Sequence, residues 1–173
     1  NAGRFQLPAA ALGEIIAMAR KLAASPVPLP ALKPAHFELP ATTAFMAEVN
    51  ETLTSGIGFA LIDRLPLEDI GEEGARAAHW LLCSMVERPV AQNFRGDLIY
   101  DVTDTGRPPG NGVRPDKTNA EQNFHTDNSY NLCPPNYVAL LCIRGAMSGG
   151  MSHIVSFKAA HNALRSKQAE LLR

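Results

Sequence analysis

Gln122-Asn123-Phe124-His125-Thr126-Asp127-Asn128-Ser129-Tyr130 is the stretch on which the reading of this chain turns. In an extended segment, side chains two apart share a face, so His125 and Asp127 are expected to project together while Thr126 points away. An imidazole and a carboxylate side by side are two donors of a metal site. With a second histidine from elsewhere in the fold they would form the 2-His-1-carboxylate triad, which holds ferrous iron and leaves coordination positions open. His-x-Asp alone recurs by chance, so its surroundings decide its weight.

Those surroundings are ordered in a telling way. Cys133-Pro134-Pro135-Asn136 is followed by the apolar run Tyr137 to Ile143, which predicts a buried strand. Ser148-Gly149-Gly150 predicts a turn, Ser152 to Phe157 a further strand, and the segment from Lys158 through Leu171-Leu172 a closing helix. Taken together, His125-Thr126-Asp127, the Pro-Pro step, the strand and Gly149-Gly150-Met151-Ser152 resemble the TauD/TfdA-type family of iron(II)- and 2-oxoglutarate-dependent dioxygenases. The resemblance is clearest over residues 119–164, and the pattern over 40–118 is compatible with it.

The resemblance implies a fold and a chemistry. The fold is α+β, a double-stranded β-helix (a cupin-like jelly-roll) with flanking helices, of which residues 41–173 would hold the first part. His125 and Asp127 would be iron ligands, and Ser152, in the Gly-Gly-x-Ser step, would help bind 2-oxoglutarate. The distal histidine and the arginine that pairs with the co-substrate are expected beyond residue 173, since His153 at a strand start and His161 in the closing helix match neither position. Arg144 is a local substitute for that arginine or a strand-end cation. Around the motif, Asn119, Glu121, Asn123, Asn128 and Tyr130 are candidate substrate contacts, as is Asn131, each with a turn or surface role as the alternative, while Phe124 is expected in the core. The implied activity is hydroxylation of an unactivated C–H bond of a small molecule, with O2 consumed and 2-oxoglutarate decarboxylated to succinate. Two other classes remain open: a jelly-roll binding module without turnover, and, least favoured, a Cys133–His125 nucleophilic pair.

Composition sets wider bounds. At 173 residues, 46% of them hydrophobic, the chain can bury a core as a single domain. A net charge of -1 offers no global attraction to nucleic acid or anionic lipid, and no apolar run reaches the roughly 20 residues a bilayer requires. With no signal-like opening, a cytoplasmic protein is expected. Three cysteines form no pairing pattern; Cys83 and Cys142 lie in apolar segments and are expected to be buried.

The first hundred residues read mostly as helix. Pro8 and the alanine-rich run after it predict a helix over 8–24, ending before Ser25-Pro26. Pro26, Pro28, Pro30 and Pro34 predict an extended connector, so that residues 1–40 form a helix and a Pro-rich link. A second helix is expected over 41–54, with Phe45, Val49 and Leu53 on one face. A buried strand over Gly58–Asp63 follows, then a helix opening at Glu68 and Asp69 whose inner face carries Ala77, Trp80, Leu81 and Ser84. His79 on that helix is a core-edge residue or a metal ligand. Asp97–Val102 alternates like a strand, and residues 103–121, broken by Pro and Gly, predict a long loop that is either a substrate lid or a plain surface loop.

Overall fold

The computed structural model of the chain describes residues 3–93, 95–128 and 132–172. It divides into two compact units, Asn1–Ile99 with Tyr137–Ile143, and Tyr100–Asn136 with Arg144–Arg173. The described structure is helical with one short strand pair.

The first unit is a three-helix core. Helix α1 (Ala9–Ala24) starts one residue after the expected position, with Pro8 as its N-cap, and ends at Ser25 as anticipated. Ala11, Ile15, Met18 and Ala19 recur at helical spacing and are buried, which lays one apolar stripe against its neighbours. Helix α2 (Pro40–Thr54) buries Thr42, Phe45, Met46 and Val49. Helix α3 (Leu67–Val86) buries Ala75, Ala77, Ala78, Trp80, Leu81 and Leu82, while Ser84 turns its hydroxyl onto the Trp80 carbonyl at 2.7 Å. Ile15, Val49 and Leu81 are among the deepest side chains, and each contributes about 1.5–3 kcal/mol by leaving water.

Short extended pieces tie the helices together. Strand β1 (Arg4–Phe5) pairs in parallel with β2 (Leu61–Ile62), placing Phe5 edge-on against Phe45 with ring centroids 6.0 Å apart. The connector after α1 is packed rather than extended. Its prolines start two 3-10 turns, Leu29–Ala31 and Pro34–His36, and between them Leu32 is buried and accepts the Trp80 indole N–H at 3.1 Å. The polyproline expectation fails because a buried indole needs an acceptor and a short connector can bring its carbonyl inward.

The expected strands mostly do not form. From Gly58–Asp63 only Leu61–Ile62 pairs, and Leu61 is 57% exposed. Over Asp97–Val102 the chain bends instead, because Asn93 holds Asp97 through both its amide and its carbonyl. Leu141 and Ile143 pack on the first unit's core while Val138 and Leu140 face outward, so Tyr137–Ile143 has a strand's alternation without a ladder. Ser152 to Phe157 likewise forms no strand; Ser156 instead caps α4 (Phe157–Lys167) by accepting the Ala159 N–H. The closing helix stops at Gln168 and resumes as a 3-10 turn, Ala169–Leu172. A strand is stable only with a hydrogen-bonded neighbour, and among the described residues no double-stranded β-helix assembles to supply one. Nor, among the described residues, is any helix long and apolar enough to cross a membrane.

Candidate functional site

Residues 100–128 of the second unit build the site. The loop over 103–121 is not structureless. Thr103 N–H donates to the Asp116 carbonyl at 3.2 Å, and the Thr105 N–H and hydroxyl both donate to the Lys117 carbonyl, at 3.0 and 2.9 Å. A bridge joins Gly110 to Val113, and Pro115–Lys117 forms a 3-10 turn. The loop is therefore closed on itself at its base.

His125 and Asp127 come together without the expected strand, in a bend and turn. The His125 Nε2 lies 3.5 Å from Asp127 Oδ1, and both side chains are about half exposed. His125 Nδ1 lies 2.7 Å from the Asn123 carbonyl oxygen. A carbonyl only accepts, so Nδ1 carries the hydrogen and the neutral ring presents the Nε2 lone pair to the carboxylate. Two electron-rich atoms facing each other call for a cation between them, either a proton on Nε2 or a metal ion. Donors each about 2.1 Å from one first-row ion can stand at most ~4.2 Å apart. The observed 3.5 Å separation meets that limit. The backbone acceptor on the other ring nitrogen is the outer-shell partner that metal-bound histidines usually have. Imidazole and carboxylate suit iron(II), so these two residues fit two of the positions of a triad. Among the described residues no cluster of three His, Cys, Asp or Glu side chains completes it.

In the same unit the sequence reading missed a charged cluster around Tyr100. The Lys117 ammonium lies 5.1 Å and the Arg114 guanidinium 6.0 Å from the Tyr100 ring centroid, and Arg114 also approaches the phenol oxygen at 3.5 Å. Arg114 Nε donates to Asp116 Oδ1 at 2.8 Å. Burial pushes the Asp116 carboxyl up, but hydrogen bonding and charge from Arg114, with help from Lys117, bring it below the usual value. Burial, then the charge of Asp116 and more weakly that of Asp127, hold the Tyr100 phenol above its usual value. The signal available in the sequence was the pattern Arg114-Pro115-Asp116-Lys117, whose partner Tyr100 lies fourteen residues before Arg114 across a Pro/Gly-rich loop.

The remaining expectations divide. The expected turn takes the form of a bend at Met147 and Ser148; Gly149 and Gly150 follow with φ of 70° and 68°, and a Cβ on Gly150 would press within 2.7 Å of the Ala146 Cβ. Ser152 is exposed and among the described residues hydrogen-bonds to neither His125 nor Asp127. Asn119, Glu121 and Asn123 are exposed; of these, Asn123 reaches His125 through its backbone. Asn128 is half-buried in a left-handed conformation at φ 51°. Tyr130 and Asn131 lie outside the described residues. Phe124, expected in the core, is 70% exposed, and Cys142 is exposed with Cys133. Both corrections share a cause: the unformed sheet leaves their faces uncovered. Cys83 is half-buried beside His79, and burial pushes its thiol up to about 11. Arg144, His153 and His161 are exposed, and His161 lies on α4 as expected.

The chain is 29% identical over 129 residues to FR-33289 synthase of Streptomyces rubellomurinus (strain ATCC 31215), an alignment covering 73% of this chain and 36% of that protein. It thus spans about a third of the length of the curated relative it matches. The model of the taurine catabolism dioxygenase TauD, TfdA family matches residues 24–173, and with that extent of agreement the chain belongs to this family.

Proposed function

We propose that the chain is part of a non-haem iron(II)- and 2-oxoglutarate-dependent dioxygenase that hydroxylates an unactivated C–H bond of a small molecule. The observation that carries the reading is the convergence of His125 Nε2 and Asp127 Oδ1 at 3.5 Å, with Nδ1 held by the Asn123 carbonyl. These two side chains would hold iron(II), with a third ligand from outside residues 1–173. The bound iron, with 2-oxoglutarate and O2, supplies the oxidising power, and succinate and CO2 are released. The chain's own residues hold the geometry. The Asn123 carbonyl fixes the imidazole tautomer and ring direction, Asp127 contributes negative charge, and the Ser152 hydroxyl would donate to a 2-oxoglutarate carboxylate in the assembled jelly-roll. Membership of the taurine catabolism dioxygenase family supports a small-molecule substrate.

Anaerobic titration of the full-length protein with iron(II) and 2-oxoglutarate tests this, read through the weak visible charge-transfer band that chelation produces. The band is expected in the unaltered protein. His125→Ala and Asp127→Ala are each expected to cost at least the roughly 10- to 100-fold in metal affinity typical of disturbing a ligand's support, and so to remove the band at stoichiometric iron. No band in the unaltered full-length protein would overturn the reading, as would an undiminished band in either variant.

A further inference from the structure

We propose that Asn128 is a positioning residue for the His125–Asp127 pair, and that it acts through its backbone rather than its amide. Asn128 follows Asp127 directly, and the two form a turn in which Asn128 takes the left-handed conformation at φ 51°. That region is disfavoured for a residue with a Cβ, which crowds the following carbonyl oxygen, and asparagine is among the few side chains that tolerate it.

The setting distinguishes this residue from an ordinary loop turn. Among the described residues one other non-glycine has positive φ, Asn111, also at 51°. Asn111 stands between Gly110 and Gly112, themselves at φ 99° and 79°, so its loop tip shares the turn among three residues. Asn128 has Asp127 and Ser129 beside it, with no glycine to share the turn. Backbone strain persists only where the surroundings over-determine it, and such places cluster at functional sites.

Asn128 adjoins the pair at its less tolerant member. His125 Nε2 and Asp127 Oδ1 stand 3.5 Å apart, close to the roughly 4.2 Å that two donors on one first-row ion can span, so a small displacement of Asp127 opens the pair. On the other side the imidazole is braced, because Nδ1 donates to the Asn123 carbonyl at 2.7 Å. The aspartate side chain is short, with one methylene between Cα and carboxylate, so the direction of Oδ1 follows the backbone. A left-handed residue at 128 turns the chain off the line of residues 125–127 at once, whereas an extended one would carry it on past the carboxylate. The inference rests on reading His125 and Asp127 as metal ligands.

Asn128→Gly and Asn128→Ala separate backbone from amide, since both remove the amide and only glycine enters the left-handed region freely. The measurement is anaerobic titration of the full-length protein with cobalt(II), followed by its visible d–d absorption, alongside the thermal midpoint of each metal-free variant. Asn128→Gly is expected to keep the parent's affinity, and Asn128→Ala to bind about fivefold more weakly or worse, the order of the left-handed penalty. Asn111→Ala introduces the same strain at the loop tip and is expected to leave cobalt(II) affinity unchanged. Equal losses in Asn128→Gly and Asn128→Ala would overturn the inference, because the amide would then carry the role. Parental affinity in Asn128→Ala would overturn it too, whatever the thermal midpoint, by confining the strain to folding. If Asn128→Ala does not fold, Asn128→Gly decides: parental affinity upholds the backbone role and lost affinity overturns it. A parent that binds cobalt(II) but gives no charge-transfer band with iron(II) and 2-oxoglutarate sinks the oxygenase reading, while the contrast between the two variants still decides the role of Asn128. A parent that binds neither ion overturns both.

Discussion

The N-terminus of α2 has no cap of its own. Leu39 occupies the cap position and offers no side-chain acceptor, so the first amides of the helix depend on another element. Glu14, projecting from α1, accepts the Ala41 N–H at 2.9 Å, the Thr42 N–H at 2.8 Å and the Thr42 hydroxyl at 2.7 Å. One carboxylate thereby caps α2 and pins it to α1. Partial burial acts to raise the Glu14 carboxyl, but the hydrogen bonds from Thr42 and Ala41 outweigh it and the group titrates below its ordinary value. Glu14→Ala is expected to destabilise the chain by about 2 kcal/mol, the combined order of a lost cap and of charged hydrogen bonds, measured by urea unfolding. A change below about 0.5 kcal/mol would show that water replaces the cap without cost. The proposed metal pair differs from this cap in how far its parts are separated along the chain. His125 and Asp127 are two residues apart, and their meeting was legible because it needs only local geometry. Glu14 caps a helix that starts 26 residues later, and Arg107, Arg114 and Lys117 converge only after a loop has closed; neither arrangement leaves a local pattern.

Among the elements, α3 shows why helices were more legible than strands and where even they mislead. Its acidic start, Glu68, Asp69, Glu72 and Glu73, reads as one long first turn. The structure breaks the helix at Gly71, which adopts φ 65° and ψ 178°, so the four carboxylates serve two successive helix starts. Past the break, Glu72 and Glu73 approach Arg76 at 3.1 and 3.7 Å. Gly71→Ala separates the two possibilities by sign. In a continuous helix the change stabilises by up to about 1 kcal/mol. Here no atom lies within 4 Å of the added Cβ, so the effect is conformational, a loss of about 1–3 kcal/mol in urea unfolding. Stabilisation by this variant would remove the break. Helices α1, α2 and α3 were readable because each buries a stripe written in its own periodicity. Tyr137–Ile143 has an equally plain apolar pattern, yet a strand also needs a partner's hydrogen bonds, and those come from residues distant in sequence.

For the molecule as a whole, the buried polar groups of the first unit set the response to acid. His79 on α3 is held below its ordinary value by burial, so the folded chain keeps it neutral. Its neighbour at 3.7 Å, the Cys83 thiol, is pushed up to about 11 by burial and stays protonated, so it offers no negative charge to an imidazolium. Below the ordinary histidine value of 6.5 the unfolded chain takes up a proton that the folded chain does not, and stability falls as pH falls until the folded group also titrates. Glu14 acts in the same direction at lower pH. Its folded-state value is depressed, so its contribution is complete above the ordinary 4.5 and is lost as pH drops through the folded value. Stability measured by urea unfolding is therefore expected to decline in two steps on acidification, the first starting near pH 6.5 and the second near pH 4.5. His79→Gln should abolish the first step and leave the second, because a glutamine amide does not titrate and the Glu14 cap lies on other helices. A first step of unchanged size in that variant would overturn the assignment to His79.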